Sequence, residues 1–142
     1  MNPTHVARCL CGAVTVELLG EPLEMGYCHC AAGRAYSGAP VTAFALYKSE
    51  NVRVISGAEV LGRYQSSEMT VRRFCSVCGG QVMAEHPAIG YTDFAAAVVT
   101  TLQFKPQLHL NYDETVLRMR DGLPKLKDFP AHAGGSGELM PE

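Results

Sequence analysis

Apolar and polar positions alternate most clearly near the start of the chain. In Ala13-Val14-Thr15-Val16-Glu17-Leu18 the apolar residues Val14, Val16 and Leu18 share one face, while Thr15 and Glu17 share the other. That is the pattern of a half-buried β-strand. Short runs with β-branched or aromatic content predict further strands over 41–47, 52–56, 62–65, 71–74, 81–85, 94–100 and 109–112, each bounded by turn residues. The 14 glycines and 8 prolines recur too often for long helices to persist between them, which leaves only short helical turns, such as one around 31–36. The expectation is a mainly β fold of packed antiparallel sheets rather than a βαβ arrangement.

The chain has 142 residues, the usual size of one domain, and can bury a core without disulfides. Residues 1–133 are read as that domain. Residues 134–142, opening with Gly134-Gly135-Ser136-Gly137, are read as a flexible C-terminal tail.

With 47% hydrophobic and 18% charged residues the composition is that of a globular chain, and no apolar run is long enough for a transmembrane helix. A net charge of −2 gives no footprint for nucleic acid. The first residues lack the basic start and apolar stretch of a secretory leader, so a cytoplasmic location is expected. In a reducing compartment six cysteines point to metal binding or thiol chemistry rather than to a disulfide framework.

Cys75-Ser76-Val77-Cys78-Gly79-Gly80 has the form of a zinc knuckle, in which a tight turn brings two thiolates to one metal. Cys9-Leu10-Cys11-Gly12 supplies the other half, because side chains two apart on an extended chain project from the same face. Cys9, Cys11, Cys75 and Cys78 are therefore the predicted ligands of one structural Zn²⁺. Binding of this kind contributes roughly 10–16 kcal/mol of apparent free energy to folding.

Cys28-His29-Cys30 is a third pair, and the same reasoning puts Cys28 and Cys30 together and turns His29 away to be packed or solvated. His109 reads as a core or surface histidine. Arg73 is positioned either to offset thiolate charge or to project to solvent.

Together these motifs resemble the glutathione-dependent formaldehyde-activating family, which has an Mss4-like zinc-containing β fold. The resemblance runs through Cys9-Leu10-Cys11-Gly12, Cys28-His29-Cys30 with Arg34 and Gly38, Tyr64-Gln65-Ser66-Ser67, Arg73-Phe74-Cys75-Ser76-Val77-Cys78-Gly79, Lys105-Pro106-Gln107-Leu108-His109 and Asp121-Gly122-Leu123-Pro124. It implies a structural zinc at Cys9, Cys11, Cys75 and Cys78. It also implies a reactive site at Cys28 and Cys30, with Arg34, Ser66 and Ser67 as candidates for binding the thiol. The family's middle motif has a third cysteine that completes a second, catalytic zinc; here that position is Gly33, and Ala35 follows Arg34.

The activity implied is of carbon–sulfur lyase type, acting on the adduct of glutathione or another small thiol with formaldehyde or a related aldehyde. A zinc at Cys28 and Cys30 would then need Glu24, His86, His109 or the substrate sulfur as a further ligand. A second reading keeps Cys28 and Cys30 metal-free, as a thiol pair that binds glutathione. A third is a non-catalytic zinc module that binds a protein or small ligand.

Overall fold

The computed structural model describes residues 3–142, which form ten β-strands and one α-helix. The strands are β1 (His5–Arg8), β2 (Thr15–Leu18), β3 (Glu24–Cys28), β4 (Thr42–Lys48), β5 (Val52–Ser56), β6 (Leu61–Gln65), β7 (Val71–Cys75), β8 (Gln81–His86), β9 (Tyr91–Ala95) and β10 (Leu108–Leu110). The helix, α1, is Ala31–Ser37. The protein is mainly β, as the alternation predicts. None of its helices is long and apolar enough to cross a membrane.

The chain divides into two compact units. Unit 1 comprises Met1–Glu24 and Ala45–Phe104. In it β1, β2 and β5 form an antiparallel sheet, and β9, β8, β7 and β6 form an antiparallel run in that order. Val14, Val16 and Leu18, the face picked out by alternation, are all 0% exposed. Tyr47 packs edge-on to Phe94 with ring centroids 6.0 Å apart, where such pairs are favourable.

Unit 2 comprises Met25–Phe44 and Lys105–Glu142. Here β3 pairs with β10 in parallel, Gly26 opposite Leu108 and Cys28 opposite Leu110. This pairing departs from the expected purely antiparallel pattern. Residues 134–142, read above as a tail, run back along 125–127: Lys127 N donates to Glu138 O, Met140 N donates to Lys125 O, and Leu126 bridges to Leu139.

Two strands carry no clear signal in the sequence. Strand β1 buries a polar residue, His5, whose ring bonds to Thr101 and Glu21, and β3 contains a glycine and opens on a glutamate. The strand predicted over 94–100 is displaced. Strand β9 ends at Ala95, and the chain closes a 3₁₀ turn over Ala96–Val98, with Val99 N donating to Ala96 O. An alanine run has no β-branched side chain to hold it extended.

Candidate functional site

Two loops of unit 1 bring Cys9, Cys11, Cys75 and Cys78 together. The loops are built alike. Gly12 N donates to Cys9 O at 3.0 Å and Gly79 N to Cys75 O at 2.7 Å, and both glycines have positive φ, 80° and 77°. A Cβ at either would meet nothing within 4 Å, so backbone conformation rather than space calls for glycine there.

All four sulfurs lie within 4.8 Å of one another. Cys9 Sγ to Cys11 Sγ and Cys11 Sγ to Cys75 Sγ are each 3.7 Å, far beyond a disulfide bond. A tetrahedron with metal–sulfur bonds of about 2.3 Å has edges of about 3.8 Å, so the arrangement fits Zn²⁺. Its electrostatics also call for a cation. Burial opposes the Cys9 thiolate, but the N–H of Val14, whose nitrogen is 3.2 Å from Sγ, helps to hold its pKa below the usual thiol value. Backbone N–H groups at Cys11 and Gly80 lower that of Cys78. At Cys11 the Ala13 N–H favours the thiolate, yet burial and the neighbouring sulfurs push the pKa up. Thiolate charge gathered this closely is stabilised by a bound cation.

The second cysteine pair lies in unit 2. Cys28 ends β3, and Cys30 caps α1, its Sγ accepting the Gly33 N–H at 3.2 Å. Cys28 Sγ accepts a hydrogen bond from Asn111 Nδ2 at 3.3 Å. The Cys30 side chain on one side, and then burial, push the Cys28 thiol upward. Arg34 steadies the turn between them: its Nε donates to His29 O at 3.1 Å and its Nη2 to Glu114 O at 3.0 Å.

His29 faces away from the two sulfurs into a buried polar chain. Its Nδ1 is 2.7 Å from Thr115 Oγ1, and its Nε2 is 2.8 Å from His109 Nδ1. His109 Nε2 is 2.7 Å from Asp121 Oδ2. Lys125 Nζ bonds to Asp121, to Leu123 O at 2.9 Å and to Glu142 Oε2 at 2.7 Å. Tyr112 packs edge-on to both imidazoles.

Cys28 and Cys30 are only two donors, fewer than the three protein ligands a catalytic zinc normally has. Gly33 adds no donor, and both nitrogens of His109 are already bonded. Those of His86 are also taken, by Asp93 Oδ2 at 2.6 Å and Thr70 Oγ1 at 3.2 Å. Among the described residues the Cys9, Cys11, Cys75 and Cys78 group is the one cluster able to hold a metal ion.

Ser66 and Ser67 lie in the exposed turn between β6 and β7, where Ser66 Oγ bonds to Thr70 O and Ser67 Oγ accepts Met69 N–H. Arg73 lies on β7, where it pairs with Glu85 at 3.1 Å and donates to Gly62 O at 3.1 Å.

Asn111, Thr115 and Lys125 were not singled out by the sequence reading. The strand expected over 109–112 covers Asn111, and the motifs Lys105-Pro106-Gln107-Leu108-His109 and Asp121-Gly122-Leu123-Pro124 flank this region without marking these three side chains. The Asn111 contact spans 83 positions, and no local pattern encodes it.

Residues 4–114 match the family described as glutathione-dependent formaldehyde-activating enzyme. The chain belongs to that family. It is 32% identical over 77 residues to an uncharacterized lyase, C29B12.13, of Schizosaccharomyces pombe. That match covers 54% of each chain, so the protein spans about half the length of this curated relative. A solved Rhodobacter sphaeroides protein is similar in fold, with a TM-score of 0.57 and 24% identity over 69% of this chain and 90% of that one.

Proposed function

We propose that the protein makes and breaks carbon–sulfur bonds in adducts of a small thiol, such as glutathione, with formaldehyde or a related aldehyde, and that Cys28 and Cys30 are the reacting groups. The observation that carries this reading is the pairing of two sulfurs, each with its own N–H donor, Asn111 Nδ2 on Cys28 and Gly33 N on Cys30. On Cys30 such a donor disperses charge and favours the reactive thiolate, while Cys28, its pKa pushed up by the Cys30 side chain and burial, holds its proton. Membership of the family and the lyase name of the fungal relative support the same class of reaction.

In this reading Cys9, Cys11, Cys75 and Cys78 hold one Zn²⁺, which keeps the four thiols ionised and ties the start of unit 1 to its middle. A site with four protein ligands has no open position for substrate, so the ion's contribution is to folding. Arg34 presents a fixed positive charge beside the pair, suited to a carboxylate of the incoming thiol. Ser66 and Ser67 belong to unit 1, where their side chains hold the turn before β7.

Exchange of formaldehyde with its glutathione adduct, followed by magnetisation-transfer NMR, tests the reading. The zinc-loaded protein should accelerate exchange, and Cys28→Ala and Cys30→Ala should each return it to the uncatalysed rate. An unaccelerated rate with fully loaded protein would overturn it.

A further inference from the structure

Taking the carbon–sulfur reading as its basis, we infer that the two sulfurs divide the work: Cys30 attacks the carbonyl carbon, Cys28 supplies the proton, and Asn111 positions Cys28 and stabilises the charge left on it.

Asn111 is the one non-glycine residue with positive φ among the described residues, at 52°. That conformation costs free energy and persists only where the surroundings impose it. They do so here: Asn111 N donates to Asp128 O at 3.0 Å, and Asn111 O accepts from Glu114 N at 3.1 Å. Asparagine at the head of a helical turn usually bonds back to that turn's own N–H groups. Asn111 precedes the 3₁₀ turn Tyr112–Glu114 and makes no such bond; its amide points instead at Cys28 Sγ, and the residue is only 8% exposed.

An amide nitrogen only donates, so Cys28 Sγ accepts from Asn111 and keeps its own S–H for Cys30. Cys30 Sγ already accepts the Gly33 N–H, and the guanidinium of Arg34 is fixed to the neighbouring His29 carbonyl. Negative charge is therefore better placed on Cys30 and the proton on Cys28.

Addition forms the bond from Cys30 Sγ to the aldehyde carbon and opens the carbonyl π bond. The Cys28 proton passes to the oxygen, giving a hydroxyalkyl thioether on Cys30 and a thiolate on Cys28. The reverse step returns the proton and releases the aldehyde. No oxidant or reductant takes part. The Asn111 N–H strengthens as charge arrives on Cys28, which is where a fixed donor contributes most.

Iodoacetamide labelling of the full zinc-loaded chain, read by peptide mass mapping, tests this without depending on turnover. Cys30 should be labelled first. In a Cys30→Ser background, Asn111→Gly, which tolerates the positive φ, should slow labelling of Cys28 about fivefold, and Asn111→Asp should slow it further. Unchanged zinc content and thermal melting establish that these variants are folded. Labelling of Cys28 first, or a Cys28 rate insensitive to Asn111, would overturn the inference. So would protection of both sulfurs that is lifted only by a chelator, since the pair would then be a metal site. Labelling of Cys30 first in a protein that does not accelerate adduct exchange would uphold the division of roles and reject the lyase reading.

Discussion

His29 Nε2 and His109 Nδ1 meet at 2.8 Å inside unit 2, and both residues are 0% exposed. The direction of this bond follows from its neighbours. Ionised Asp121 accepts from His109 Nε2–H, which leaves Nδ1 bare to accept from His29 Nε2–H. His29 Nδ1 is then bare and lies 2.7 Å from the Thr115 hydroxyl, whose one proton is contested by Leu117 O at 2.9 Å.

Removing the middle of that chain strands both ends. His109→Phe fills the space but leaves His29 Nε2 and Asp121 Oδ2 without the partners they have now, so it should cost about 2–4 kcal/mol in urea denaturation. A loss under about 1 kcal/mol would mean that the network is not closed in solution.

The same buried chain sets an acid limit on stability. Burial, and then the nearby His109, push the His29 imidazole down to about 4 from its ordinary 6.5. The unfolded chain therefore takes up the proton first, and stability falls as pH drops from about 6.5 to about 4, by roughly 3 kcal/mol in all. Below that range the carboxylates take over. Burial works against ionised Asp121, but Lys125 and His109 hold its pKa well below the usual range, and Lys125 lowers that of Glu142. Their contribution is present above the ordinary carboxylate pKa and is lost on further acidification. Burial opposes charged Lys125, yet Asp121 and Glu142 raise its pKa, so its contribution fails only in strong alkali. Denaturation midpoints measured from pH 8 to pH 4 should fall, and His29→Gln should flatten the upper part of that fall.

The four-cysteine loops of unit 1 are legible because both halves are local: two cysteines two or three residues apart, each pair followed by glycine. The buried chain of unit 2 is not. It joins His29 to His109 across 80 positions, and polar side chains at buried positions leave no hydrophobic pattern to read. Period-two reasoning did separate His29 from Cys28 and Cys30, but not what His29 would meet. Strand β3 was hidden for a related reason, since Gly26 and Glu24 weaken a strand signal that the pairing with β10 overrides.

Loss of one ligand from the four-cysteine site should be severe. Cys75→Ser should release zinc to a chromogenic chelator and lower the melting temperature of unit 1 by more than any single surface substitution does, since structural zinc contributes roughly 10–16 kcal/mol to folding. A Cys75→Ser protein with wild-type stability would mean that the site is not a metal centre.

Position 33 gives a gain-of-function counterpart. A Cβ there would lie 3.1 Å from Cys30 Sγ and 3.7 Å from Thr42, and the backbone needs no positive φ. Gly33→Cys should therefore fold with a small shift of the Cys30 sulfur and present three thiols together. Elemental analysis should find one more zinc per chain in this variant than in the wild type, and an unchanged content would show that geometry, not the missing sulfur, excludes the metal.

The most direct test of the whole account is the zinc content of the purified wild-type chain. One zinc per chain, lost in Cys75→Ser and retained when Cys28 and Cys30 are both replaced by serine, is the predicted result. Two zincs per chain, one of them lost with Cys28 and Cys30, would contradict the metal-free pair, and less than half a zinc would contradict the four-cysteine centre itself.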